Sequence, residues 1–311
     1  MSLPRAVIPG RSYILSRRCS ERRFFLRPSP ETNNNYLYCL GYAAWRAKVA
    51  LTSTCMMSNH HHTGINDRLG TFPEFLERFH GLLARCQNAY LHHSEAFWSN
   101  AATSVVRLVK PEDAFDKLIY AFANPAAADL VESIHDWPGA HSLEATLAGG
   151  TITATRPKQF FRDDGDMPET ITLTFERPIG FENLSQDEWA SLVTNRLSEV
   201  ESSHRQRRLA EGKQVLGRQR VLAQDPFDSP GSTSPRFKLS PKIAAKCKQA
   251  MLEAIQEEMS FIERHAQSLK DFIAKIPGTL FPYGTYWWRK FAGALCETNP
   301  CGSLDPAPAP A

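Results

Sequence analysis

The sequence predicts an α+β protein: an antiparallel sheet with helices packed on one side over the first 140 residues, followed by a mainly helical extension. Two observations carry this. Short β-branched or apolar runs alternate with segments of helical period from residue 11 to about residue 140. Beyond residue 145 the chain turns to one half-buried strand pair and two long helical stretches. With 311 residues, 42% of them hydrophobic, the chain can bury a substantial core, as two domains or as one with a large extension.

Residues 11–18 read as a strand ending on Arg17 and Arg18. Leu37, Leu40, Tyr42, Ala44 and Trp45 recur at helical spacing over 34–48. Residues 49–57 are β-branched and apolar enough for a strand, which runs on into His60, His61 and His62. Asn66, Asp67 and Gly70 mark a loop. Thr71 with Glu74 fits a capping box, and Phe75, Leu76, Phe79, Leu82, Leu83 and Cys86 follow on one helix face to about Tyr90. Residues 104–109 form another strand, and Pro111 opens the helix that bears Tyr120.

Past residue 145, residues 169–176 alternate strictly and predict a strand paired with 151–155. Ser185 with Glu188 opens a long polar helix over 185–222, and a second long helix spans about 241–275. Residues 225–240 have the composition of a linker or surface arm, and the Pro/Ala tail over 303–311 is expected to be disordered. Tyr283, Tyr286, Trp287 and Trp288 sit in a dense aromatic patch. It is expected to pack the two long helices together rather than to stack on unpaired bases. The boundaries follow as 1–144, an extension over 145–302, and the tail.

No run of about eighteen apolar residues exists, so no membrane span is expected. The N-terminus carries Arg5 and Arg11 without the apolar stretch of a secretory signal. Seven scattered cysteines with no C-x-x-C pair read as reduced thiols in a cytoplasm. The net charge of +3 is modest, but its distribution is uneven. Arg5, Arg11, Arg17, Arg18, Arg22, Arg23 and Arg27 face only Glu21 near the start. A second basic stretch holds Arg205, Arg207, Arg208, Lys213, Arg218 and Arg220. Such clusters suit phosphate contact, with a solvated basic surface as the plainer alternative.

The chemistry centres on four residues. His60 and His62 flank one residue, and strand side chains alternate, so both imidazoles share a face and can hold one divalent ion. Tyr120 and Asn124 are four apart and share a helix face. Two imidazoles and an amide oxygen, with open positions, suit Mg²⁺ or Mn²⁺ shared with a phosphate oxygen; ligand type also admits Zn²⁺. A phenol with a pKa near 10 needs a metal or neighbouring cations to attack. Attack would leave a phosphotyrosine link and a free 3′-hydroxyl. That link keeps the bond energy, so the strand can be passed on rather than hydrolysed.

Met57, Ser58, Asn59, His60, His61 and His62 resemble the Met-Pro-Asn-His-x-His signature of single-tyrosine HUH transposases. Tyr120, Asn124, Pro125 and Ala128 are similar to the Tyr-x-x-x-Asn-Pro-x-x-Ala motif of the REP-associated tyrosine transposases. Phe97, Trp98 and Trp137 add to the resemblance, which covers about residues 4–140. It implies a ferredoxin-like HUH core, Tyr120 as nucleophile, and His60, His62 and Asn124 as ligands for Mg²⁺ or Mn²⁺. It also implies single-stranded or hairpin DNA as partner and a bacterial cytoplasmic, nucleoid-associated protein acting as monomer or homodimer, while the basic cluster near the start offers Arg17, Arg18, Arg22 and Arg23 as the DNA contacts. The chain departs from the pattern at three places. His61 takes the bulky apolar position, Ser58 replaces a proline, and the run Ala126 to Ala128 replaces an arginine. A catalytically inactive DNA-binding regulator and a metal-dependent nuclease using water are the alternative functions.

Overall fold

The computed structural model describes residues 3–231 and 241–299. The chain runs β1 (Arg11–Arg18), α1 (Pro30–Ala47), β2 (Ala50–Met57), β3 (His60–Asp67), α2 (Phe72–Leu91), β4 (Ser104–Leu108) and α3 (Pro111–Ala127). It continues as α4 (Leu143–Ala148), β5 (Thr151–Thr155), β6 (Thr170–Thr174), α5 (Gln186–Ala210), α6 (Arg218–Leu222), β7 (Ile243–Ala244), α7 (Lys248–Ile273) and α8 (Trp287–Ala292). The class is α+β, as predicted. One five-stranded sheet has the order β2-β3-β1-β4-β7, antiparallel except for the β4–β7 edge, and β5 pairs with β6 in a separate antiparallel hairpin.

The helical layer is two-sided rather than one-sided. Strand alternation in β1 sends Tyr13 and Leu15 to one face and Ile14 to the other. On the first face Tyr36, Leu40 and Ala43 of α1 join Phe75, Phe79 and Leu83 of α2 in one core. The second face is covered by α3, through Ala114 and Ala121 against Ile14 and Val106, and through Leu118 and Phe122 against Cys55 and Met57. Both faces of the sheet are apolar, so each needs a helix to cover it.

The single strand expected to run into the histidines is a hairpin. Met57 pairs with His60, so Ser58 and Asn59 form a two-residue turn and the triplet begins a new strand. The expected loop at Asn66 and Asp67 belongs to the end of that strand. The capping box at Thr71 is not formed. The Thr71 hydroxyl donates to the Ala47 carbonyl (2.6 Å), and the Asp67 carboxylate accepts the Thr71 backbone N–H instead (2.8 Å). At Ser185 the box is formed as predicted.

The helix from Ser185 stops at Ala210 rather than running to residue 222, because Gly212 and Gly217 adopt positive φ and start a new short helix, α6. The second long helix begins at Lys248, after β7 has joined the sheet edge with the Lys246 N–H on Asp113 (2.8 Å). The hairpin of β5 and β6 lies on α1. A Cβ at Gly41 would stand 2.9 Å from Leu173, so glycine permits that approach. The long helix α5 packs on α3 through Trp189, Val193 and Leu197.

The aromatic patch therefore does not join the two long helices. Phe281 and Trp288 pack on Phe272 of α7, and Tyr286 is buried, donating its hydroxyl proton to Glu74 of α2. Trp287 stays half exposed, stacked on Phe291. In the stretch expected to be a linker, the described part docks on the basic arm: the Phe24 N–H donates to the Asp228 carbonyl (2.9 Å) and Phe227 packs edge-on against Phe25. Residues 232–240 and the expected tail over 303–311 lie outside the described residues. Among the described residues, no helix is long and apolar enough to cross a membrane, and the cysteines are free thiols.

Candidate active site

The β2–β3 turn is pinned from several directions. The Leu26 N–H donates to the Ser58 carbonyl, the Cys19 N–H donates to the Asn59 carbonyl, and the Ser58 hydroxyl donates to Gln224 (2.9 Å). Asn59 Nδ2 donates to the Arg22 carbonyl (3.0 Å), which fixes the amide so that Oδ1 faces His60 Nδ1 at 2.7 Å. An amide oxygen only accepts, so His60 carries its proton on Nδ1, and Nε2 is its lone-pair nitrogen. The sequence shows Asn59 only as part of the motif with the triplet and gives it no role of its own.

From this turn the strand alternates as the sequence predicts. His60 and His62 share one face, with ring centroids 4.9 Å apart, and His61 points to the other. The helix α3 lies over the first face. The Tyr120 ring stands edge-on to His62 at 5.2 Å, and Asn124 hydrogen-bonds His60. The helix continues through Pro125 to Ala127, so Asn124 is helical and on the same face as Tyr120. The four predicted residues therefore converge. Asn124 is buried, whereas Tyr120 is 47% exposed and open to a large substrate.

Electrostatics keeps both imidazoles neutral. Burial, then the neighbouring His62 and Arg18, holds His60 well below the usual histidine range. Burial, with Lys117 and Arg18 adding to it, lowers His62 to about 4. Neutral imidazoles are the form that binds metals. The His62 Nε2 atom is buried and has no hydrogen-bond partner, which is an unfavourable state for a polar atom unless a ligand meets it. Among the described residues no three His, Cys, Asp or Glu side chains group as a metal site, and the polar side chain beside the two imidazoles is the Asn124 amide. The orphaned nitrogen, the fixed His60 tautomer and the adjacent Asn124 fit a divalent ion of the Mg²⁺ or Mn²⁺ kind.

His61 occupies an apolar position of the first face and is fully buried. Its Nε2 pairs with His80 Nε2 of α2 (3.0 Å), and its Nδ1 pairs with the Thr63 hydroxyl (3.0 Å). Both polar atoms are therefore satisfied, and the departure from the usual apolar residue is accommodated by a second buried histidine that also packs on Trp98. His80 sits beside Phe79 on the apolar helix, with nothing in the local pattern to announce its partner.

The arginines are divided between the faces. Arg18 is in register with His60 and its charge reaches both histidines of the site. Arg17 points the other way, over the Trp98 ring at 5.4 Å. Arg22 lies in the short turn after β1, and Arg23 pairs with Glu21. The basic stretch over 205–220 is largely neutralised within the chain rather than set out for phosphates. Arg205 pairs with Glu132, Arg207 with Asp129, Arg208 with both, and Lys213 with Glu211. Arg208, only 2% exposed, also donates to the Ala126 carbonyl (3.1 Å), so α5 caps the C-terminal end of α3.

The class defined by sheet and site is an α+β protein whose exposed phenol adjoins a neutral His–His–Asn donor set. No family model and no curated protein matches the chain. Among solved structures it is similar to a REP-associated tyrosine transposase bound to a REP hairpin, with a TM-score of 0.36 and 14% identity over 58% of this chain and 99% of the other. It is also similar to a protein of Deinococcus radiodurans R1 provisionally assigned as a transposase, with a TM-score of 0.26 and 17% identity over 34% of this chain and 85% of the other. At such low scores the chemistry has to be argued from the site's own residues.

Proposed function

We propose that this chain is a DNA strand transferase of the single-tyrosine HUH kind, cleaving and rejoining single-stranded, hairpin-containing DNA through a 5′-phosphotyrosine intermediate. The observation that carries this is the exposed Tyr120 standing against His62, whose buried Nε2 has no partner, with His60 and Asn124 beside it. In the reaction the Tyr120 oxygen bonds to phosphorus as the P–O3′ bond breaks. The phenolic proton passes to water, and the 3′-oxygen takes one up. A bound Mg²⁺ or Mn²⁺ would draw charge from the phosphate oxygens and orient them. Arg18, on the same face, supplies positive potential for the strand. The deep donor set with the phenol at its rim favours an unpaired strand, whose phosphate can be brought inward.

The test is incubation with labelled single-stranded hairpin DNAs and Mn²⁺, resolved on a denaturing gel. A slow protein–DNA band that vanishes in Tyr120→Phe, with hairpin binding retained, is the expected result. Cleavage without an adduct would move the assignment to a nuclease using water. Binding without cleavage across varied hairpins would leave a regulator.

A further inference from the structure

We propose that Lys117 is a further catalytic residue of this site, its ammonium group holding a non-bridging oxygen of the phosphate that Tyr120 attacks. The inference rests on the strand-transfer reaction proposed above.

Lys117 lies three residues before Tyr120 on α3, so the two side chains share a helix face. Its Nζ stands 5.2 Å from the centroid of the Tyr120 ring, and its side chain is half-buried. The same charge is felt at His62, where it opposes a positive imidazole. Among the described residues Lys117 has no carboxylate partner. The neighbouring acids are committed elsewhere: Asp113 accepts the Lys110 and Lys246 N–H groups, and Asp116 pairs with the Lys246 side chain. The result is a cation with no carboxylate partner among the described residues, beside the nucleophile and close enough for its charge to act at His62. The charge of the attacked phosphate grows on its non-bridging oxygens, and a preplaced ammonium is most effective there. In the step the Tyr120 O–P bond forms and the P–O3′ bond breaks. Lys117 stays protonated throughout and gives up no proton.

This position has two consequences of opposite sign. A positive charge beside the phosphate speeds attack, and the same charge beside His62 opposes binding of a dication. A merely structural lysine would not separate them. The experiment compares wild type, Lys117→Ala and Lys117→Arg. It measures the single-turnover rate of adduct formation at saturating hairpin DNA and Mn²⁺, and Mn²⁺ affinity without DNA by electron paramagnetic resonance of the free ion. For Lys117→Ala we expect an adduct rate about 100-fold lower, the scale of losing one transition-state donor, together with tighter Mn²⁺ binding. Lys117→Arg should keep most of the rate.

An alanine variant as fast as wild type would overturn the role of Lys117 and leave the strand-transfer function standing. Slower attack together with weaker Mn²⁺ binding would also overturn it, as general damage to the site. If wild type itself forms no adduct, the strand-transfer function falls, and the catalytic role falls with it.

Discussion

Replacing either member of the buried His61–His80 pair with leucine strands the other. His61 is fully buried, with its Nε2 3.0 Å from His80 Nε2, and His80 is almost equally enclosed. Leucine nearly conserves volume, so the packing penalty is small, on the order of 1 kcal/mol. The orphaned imidazole nitrogen costs about 1–3 kcal/mol, because it has left water and gained no partner. Each single variant should therefore lose about 2–4 kcal/mol. Replacing both removes the need for the hydrogen bond, so the double variant should be no less stable than either single one.

The pair also has a pH signature. Burial first, and then neighbouring positive charge, holds both histidines well below the ordinary histidine value of 6.5. A base depressed in the folded state stabilises fully above its unfolded pKa, and that stability is lost as pH falls through and below 6.5. For two such groups the loss between pH 7.5 and pH 5.5 is about 2.7 kcal/mol, from the unfolded-state titration. Urea unfolding in EDTA at both pH values, with linear extrapolation, measures all of this. Additive losses in the double variant, or an acid limb as steep as that of wild type, would refute the reasoning.

Three further outcomes follow from the same structure. Asp67 is buried, its Oδ2 lacks a partner, and burial lifts its carboxyl from 3.8 to about 6. A raised carboxyl stabilises below the unfolded value and loses that stability as pH rises through 6. Asp67→Asn should therefore gain about 2–3 kcal/mol at pH 7.5 and nothing at pH 3.5, read by urea midpoints. Arg208→Met should lower stability by about 1–2 kcal/mol, since it strips the Ala126 carbonyl of its donor and leaves Asp129 and Glu132 with one cation each, Arg207 and Arg205, and scanning calorimetry would register this as a lower Tm. Asn59→Ala frees the His60 ring from its acceptor and should weaken Mn²⁺ binding about 10- to 100-fold in a metal titration, with little change in Tm.

The convergence of His60, His62, Tyr120 and Asn124 was legible because it depends on two local periods, alternation in a strand and one turn of a helix. The resemblance then joined the two halves. The turn at Ser58 and Asn59 was not legible. Neither residue is glycine, so the usual signature of a two-residue hairpin is missing and the run reads as one strand. The two-sided covering of the sheet was also hidden, since an apolar stripe on α3 does not say which face it meets. Partnerships between distant residues account for the rest. His61 reads as an unsupported buried imidazole until α2 brings His80 to it. Arg207 and Arg208 read as free surface charge until Asp129 and Glu132, more than seventy residues earlier, fold beneath them.

The capping of α3 by α5 sets an order on synthesis. A ribosome that has translated as far as residue 200 has already made every side chain of the proposed reaction, yet the carbonyl of Ala126 still lacks the guanidinium of Arg208, and the Asp129 carbonyl awaits the N–H of Leu216. The helix carrying Tyr120 and Asn124 is thus finished late, by residues that emerge well after it. Nascent chains and fragments truncated before Arg208 would hold the chemistry in an unfastened frame. For a protein proposed to cut the nucleic acid of its own cell, that delay confines the fully formed site to chains whose translation has passed this point.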